Sequence, residues 1–303
     1  MLQFFQGHVR IVRLLQSIKS IEVNKMNFCY FKGEYLPPEK TLLPVTDLII
    51  QRGVGVFDSI STHEKRPVNL TSHLERLFNS AYGCGIEPPV SMDAMSKMIQ
   101  EGISRFETPQ TEVVIRPYIT GGDKYDEKKG KFTDPRFFIM FQETVKPEPY
   151  LYNKGIWLKT VNAARPMPET KSVNYMLAFR ENSRSPEVYE ILYCPEGEIT
   201  ESSHSSFFMV KEGRLITAPD ERVLPGTTRK IILTIASEQG MEISMKNPLL
   251  SEVPEAEEAF ITGSIKGVLP VTKINDTVIG KGRPGKVTRK LLQLYRENIQ
   301  RWL

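Results

Sequence analysis

The chain has 303 residues, 40% of them hydrophobic and 25% charged, with a formal net charge of +4. That is ordinary globular composition with room for about two domains of about 150 residues each. It excludes a disordered chain, a collagen-like repeat and a disulfide mini-scaffold. A surplus of four charges predicts no nucleic-acid partner, and no apolar run approaches the roughly 20 residues that cross a bilayer.

Residues 1–25 stand apart. Arg10, Arg13, Lys19 and Lys25 face one acid, Glu22, while Val9, Val12, Leu15, Ile18 and Ile21 recur at roughly helical spacing. The segment reads as a basic N-terminal arm before a working protein that begins at Met26, and organellar targeting stays open as its alternative role. Cys29–Phe31 and Glu34–Leu36 then flank Lys32-Gly33 as a hairpin. Ser72-His73-Leu74-Glu75 reads as a capping box for a helix through Leu74, Leu77, Phe78 and Ala81, closed by Gly83 and Gly85. Ser91 opens a second helix through Met95, Met98, Ile99 and Ile103, and 112–120 and 136–143 are rich enough in Val, Ile and Phe for strands. Residues 145–154, with two prolines and little periodicity, are the expected linker. Beyond it, strands are expected at 156–161, 189–194, 206–210, 215–217 and 259–262, and helices from about Ser172, over 228–239 and over 284–302. The fold class expected is α+β, or mixed α/β, with a smaller domain at 26–144 and a larger one at 155–303.

Chemistry is narrowed by what is scarce. Cys29, Cys84 and Cys194 are odd in number and scattered, which reads as reduced thiols in a cytoplasmic protein. His8, His63, His73 and His204 have no metal-ligand spacing, so no metal centre is expected, and an acid–base catalyst should be a lysine or a carboxylate. No dinucleotide fingerprint, P-loop or nucleophile elbow is present. Leu224-Pro225-Gly226-Thr227-Thr228 runs directly into a helix, and Gly263-Ser264 follows a strand. Free N–H groups, hydroxyls and a positive dipole end suit an anion such as a phosphate ester, although an ordinary helix cap has the same form. Lys171 stands where a loop gives way to a helix, either a solvated lysine or a desolvated amine able to form a Schiff base. Glu201 sits among hydroxyls beside a strand. Lysine amine, carboxylate and phosphate cup are the handles that pyridoxal phosphate requires.

These strings, in this order, resemble the class IV aminotransferases of fold type IV, a group with branched-chain and D-amino acid aminotransferases and aminodeoxychorismate lyases. YFKGEYLP, DLIIQRGVGVFDSI, NLTSHLERLFNSA, KSVNYMLAF, GEITESSHSSFFMVKEGRLITAP, VLPGTTRKIILTIA and FITGSIKGVLPV carry the resemblance, over about residues 28–294. It implies a two-domain enzyme with pyridoxal 5′-phosphate at the domain interface and a homodimer. Lys171 matches the lysine that holds the cofactor covalently and moves the substrate proton. Glu201 matches the acid that keeps the ring nitrogen protonated. Arg76, Thr227, Thr228 and Ser264 match the phosphate cup, and Tyr175 a tyrosine at the ring hydroxyl. Arg116, in VVIRPYITGGD, matches the arginine of the branched-chain enzymes, and Arg52 stands where a pocket aromatic is usual, either to recognise a substrate carboxylate or to point to solvent.

The implied reaction is transamination between an amino acid of the branched-chain type and a 2-oxo acid. A lyase on the same fold and a non-catalytic cofactor binder are the alternatives. The chain departs from the family strings at Phe57-Asp58-Ser59, Ser202, His204, Ser206 and Gly267, which bears on the substrate while leaving the cofactor handles in place.

Overall fold

The computed structural model describes residues 26–108 and 110–303. The expected arm, residues 1–25, lies outside the described residues. The first sheet is built from strands β1 (Met26–Phe31), β2 (Glu34–Leu36), β3 (Gly55–Phe57), β4 (Ile60–His63), β5 (Arg66–Pro67) and β6 (Val113–Thr120). A short pair, β7 (Tyr125–Asp126) and β8 (Lys131–Phe132), follows, and β9 (Arg136–Glu143) returns to the sheet, whose order is β2-β1-β9-β6-β4-β5 with β3 also on β6. Helices α1 (Leu48–Arg52), α2 (Leu70–Gly83) and α3 (Met92–Ser104) lie between these strands in sequence. Leu74, Leu77 and Ala81 of α2 and Met95, Ile99 and Ile103 of α3 recur every three or four residues, and that stripe packs on Ile115, Ile139 and Phe141. Gly102 is what lets α3 approach so closely, because a Cβ there would lie 2.2 Å from the Phe141 ring.

The second half has strands β10 (Ile156–Val161), β11 (Glu190–Tyr193), β12 (Ser206–Lys211), β13 (Arg214–Thr217), β14 (Ile243–Met245), β15 (Glu258–Gly263), β16 (Gly267–Ile274) and β17 (Thr277–Val278). They form one mixed sheet in the order β11-β10-β16-β15-β12-β13-β14, with β17 on β16. Successive side chains of a strand point to opposite faces, and here both faces are buried. Phe207 and Met209 enter one core with Ile261 and Leu269. Phe208 and Val210 enter the other, against the second half's two longest helices, and there the Phe208 and Phe260 rings stack at 4.8 Å.

Helix α4 (Pro149–Lys154) lies between β9 and β10, so the proline-marked segment 145–154 contains a helical turn and a half rather than irregular chain throughout. Pro149 opens it, a position where the missing N–H costs nothing. Two expected helix starts are corrected. Val68 is drawn to the sheet, its N–H donating to Ser61, and Asn69 turns left-handed at φ 54°. Helix α2 therefore starts at Leu70, and Ser72 lies inside its first turn instead of capping it. Residues 171–173 are extended, not helical: Phe57 N–H donates to the Lys171 carbonyl at 3.0 Å and Val173 N–H to Gly55 at 3.1 Å. That pairing ties the segment to β3, and helix α5 (Met176–Arg184) starts only after Tyr175. Helices α6 (Thr227–Glu238) and α7 (Lys286–Glu297) complete the fold. Among the described residues no helix is long and apolar enough to cross a membrane.

Candidate functional site

A cavity of about 610 Å³ lies between the two sheets. Arg76, Arg116, Lys171, Tyr175, Glu201, Thr227, Thr228 and Ser264 all line it, although up to 188 positions separate them in sequence. Arg52 does not. It ends α1 exposed, with Nη1 donating to the Gln51 carbonyl at 3.0 Å.

Lys171 is held by the extended segment that pairs with β3, and its own N–H donates to Ser80 Oγ of α2 at 3.1 Å. Its Nζ lies 4.8 Å from the centre of the Phe57 ring and forms no ion pair among the described residues. Burial, with Arg76 adding to it, lowers this ammonium to a pKa of about 7. A large fraction of the amine is therefore neutral and nucleophilic near neutral pH.

At one end of the cavity, Arg76 of α2 binds Asp58 through Nε–Oδ2 at 2.9 Å and Nη2–Oδ1 at 2.7 Å, and donates through Nη1 to Pro225 O at 3.2 Å. His73, one turn earlier, meets Asp58 Oδ1 with Nδ1 at 2.7 Å. Its Nε2 lies 3.1 Å from Thr227 Oγ1 and 3.4 Å from Ser264 Oγ. Burial acts to raise the Asp58 carboxyl, but Arg76 and His73 overcome it and hold it well below the usual range. Burial pushes His73 down against the pull of Asp58, which favours the neutral imidazole. Helix α6 starts at Thr227 behind Gly226 with no side-chain cap, which leaves its first N–H groups free for an anion.

At the other end, Glu201 accepts from Arg165 Nε at 2.8 Å and from Leu224 N–H at 3.2 Å. Burial raises this carboxyl despite the pull of Arg165. Arg165 also donates to the carbonyls of Pro168 and Thr170, so it fixes the turn that delivers Lys171. The sequence reading missed Arg165. Its only signal is an arginine in the proline-rich loop before the lysine.

A third wall accounts for the unusual Ser202–Ser206 run. Glu190 Oε1 accepts from Lys266 Nζ and from Ser205 Oγ at 3.1 Å, and Oε2 accepts from Ser202 Oγ and from His204 N–H at 3.2 Å. Four donors satisfy one buried carboxylate, which stays ionised with a pKa of about 2 although burial opposes it. The His204 ring stacks on Tyr175 at 5.0 Å, and burial pushes the Tyr175 phenol up to about 12. Half-buried Arg116 donates to Gln142 Oε1 and pairs with no carboxylate among the described residues. The cavity thus offers an amine of lowered pKa between an anion cup and a carboxylate, with a guanidinium that has no carboxylate partner among the described residues at its side.

Comparison with known proteins gives a consistent picture. The family described as amino-transferase class IV matches residues 55–274. A branched-chain-amino-acid aminotransferase of Pseudomonas aeruginosa is 27% identical over 287 residues, covering 88% of this chain and 91% of that one. An aminodeoxychorismate lyase of Bacillus subtilis is 28% identical over 281 residues, covering 89% and 94%. Among solved structures, a T.th. branched-chain amino acid aminotransferase with pyridoxamine 5′-phosphate superposes with a TM-score of 0.83. It is 26% identical, with 92% of this chain and 96% of that one covered.

Proposed function

The chain belongs to the class IV aminotransferases, and from that premise we propose that it moves an amino group between an amino acid of the branched-chain type and a 2-oxo acid, using pyridoxal 5′-phosphate. The observation that carries this reading is Lys171, a buried amine with a pKa of about 7, facing an anion cup on one side and Glu201 on the other. The donor set fits the cofactor. Free N–H groups at the start of α6, the Arg76 guanidinium and the hydroxyls of Thr227, Thr228 and Ser264 suit a phosphate monoester. Thr262 Oγ1, buried in a residue of the cavity wall, has no hydrogen-bond partner among the described residues.

When bound, the cofactor supplies an electrophilic carbon for amine capture and a ring that accepts electron density. The chain's residues supply the rest. Lys171 holds the cofactor and then, as a free base, removes and returns the substrate proton. Glu201, raised by burial, keeps a proton on the ring nitrogen, and Arg165 holds its carboxylate in place. Tyr175, packed between Phe57 and His204, would hydrogen-bond to the ring hydroxyl. Arg116 receives the substrate α-carboxylate, while Arg52, exposed at the end of α1, lies outside the cavity. In this reading residues 26–144 and 155–303 form two domains joined at 145–154, and each supplies one side of the cleft. The working form is a cytoplasmic homodimer, in keeping with the exposed Met176 and Phe179 on α5.

The test is a panel of amino donors with 2-oxoglutarate, read by product analysis. Amino transfer with aliphatic donors is expected. Pyruvate release without consumption of an acceptor would move the assignment to a lyase, and cofactor binding without turnover would make the chain a non-catalytic binder.

A further inference from the structure

The anion cup contains a conflict over protons that its geometry exposes. Ionised Asp58 can only accept hydrogen bonds, and His73 Nδ1 lies 2.7 Å from it but 3.3 Å from the donor Arg76 Nη2; the shorter contact places the imidazole's proton on Nδ1. In the neutral ring Nε2 is then bare and can only accept. Its two neighbours are the hydroxyls of Thr227 at 3.1 Å and Ser264 at 3.4 Å. Each hydroxyl has one proton, and a hydroxyl that spends it on Nε2 turns a lone pair toward the cavity. A phosphate dianion arriving there meets an oxygen lone pair from a residue that should donate to it.

We propose that His73 takes up one proton from solvent at Nε2 as a phosphate ester docks, which reverses the hydrogen bond from whichever hydroxyl, Thr227 or Ser264, donates to it and frees that hydroxyl proton for the phosphate. This rests on the cofactor reading above. Charge favours the step: Asp58 and Arg76 cancel, the phosphate adds about two negative charges, and a cationic His73 offsets one of them. The charged groups around His73 are Asp58 from the β3–β4 connection, Arg76 from its own helix and Lys171 from the segment paired with β3. Thr227 on α6 and Ser264 after β15 contribute only hydroxyls. Asp58 favours the proton. Arg76 and Lys171 oppose it until the phosphate arrives. His73 is thus a positioning residue that couples pH to the grip on the cofactor.

The experiment titrates pyridoxamine 5′-phosphate, which has no carbonyl to react with Lys171, into the cofactor-free full-length protein. Calorimetry at pH 8, in buffers of different ionisation enthalpy, counts the protons taken up. The parent should take up close to one proton more than His73→Gln, a residue that can hydrogen-bond but not titrate. Affinity should fall by up to about tenfold per pH unit above neutrality in the parent and be flatter by that factor in the variant. Pyridoxamine without the phosphate should show no difference between the two proteins. As a check that needs no variant, one of the four histidines should change its imidazole ¹⁵N signals from neutral to cationic on adding the phosphate ligand. Equal proton uptake by parent and variant, or four unchanged imidazoles with the ligand bound, overturns the role of His73 and leaves the cofactor reading intact. Absence of binding at any pH overturns both.

Discussion

The cavity has an arginine–carboxylate pair at each end, and the two carboxylates are pushed in opposite directions. Asp58 meets two guanidinium nitrogens of Arg76, the His73 ring and the Ser59 N–H, and these hold it ionised although it is fully buried. Glu201 has one contact from Arg165 and one from Leu224 N–H, and burial wins. The number of donors decides the outcome, because each donor repays part of the cost of removing the charge from water. The first acid is a fixed counterion that leaves Arg76 oriented toward an incoming anion. The second shares a proton readily. Lys171 lies between them with no ion pair among the described residues, and a catalytic amine needs that freedom.

The largest effect should come from removing the group between the two ends. Lys171→Ala should reduce kcat by at least about 10⁴-fold and abolish the visible absorption band of bound cofactor that borohydride removes from the parent. If that band survives in the variant, the central assignment is wrong. Lys171 also leaves a signature in stability. Its folded pKa of about 7 lies below the ordinary lysine value of 10.5. Between those two values the unfolded chain binds more protons than the folded one, so cofactor-free stability rises with pH across that window. Replacing Lys171 by Met should flatten the rise, which urea unfolding at pH 7 and pH 10 would detect.

The two ends should then separate by readout. Asp58→Asn leaves Arg76 buried against a neutral amide and breaks the anchor of His73, so unfolding free energy should drop by about 3–5 kcal/mol. Denaturant melts of the cofactor-free protein measure it, and a loss under about 1 kcal/mol would mean that Asp58 is not the counterion described. Glu201→Gln, with fewer donors to strand, should cost only about 1–2 kcal/mol of stability. Its effect appears in kcat, a fall of about 10²-fold, because an amide cannot hold the ring proton. Equal stability losses for the two variants would erase the distinction between counterion and proton partner.

How much of this could be read in the sequence follows from where the partners lie. The handles that occupy short strings were legible: Thr227 and Thr228 at a helix start, Ser264 after its glycine, and Glu201 among hydroxyls. All of them reach the cavity. The strand expected at 206–210 is also present, as β12. What escaped were pairings between distant residues. Arg165 meets Glu201 across 36 positions and Lys266 meets Glu190 across 76, and no local pattern marks either. The helix expected from Ser172 failed for a related reason. The bonds between 171–173 and β3 outweigh a local helical preference, and they are formed with a strand over 100 residues earlier.

The smallest effect should be at Arg52, the one expected site residue that the fold leaves outside the cavity. Its guanidinium donates to a neighbouring carbonyl and is otherwise open to solvent, so Arg52→Ala removes no ion pair and leaves no buried group stranded. Stability should stay within about 0.5 kcal/mol of the parent. If the site in each chain is served only by the residues that line it, kcat/KM should stay within about twofold across the amino-donor panel. A larger rise in KM with kcat unchanged would mean that Arg52 binds substrate in both ground and transition states. Since its own cavity does not receive it, that result would point to the site of a second copy. The mildest substitution therefore tests whether one chain's cavity is complete, which the stronger variants at Lys171, Asp58 and Glu201 cannot do.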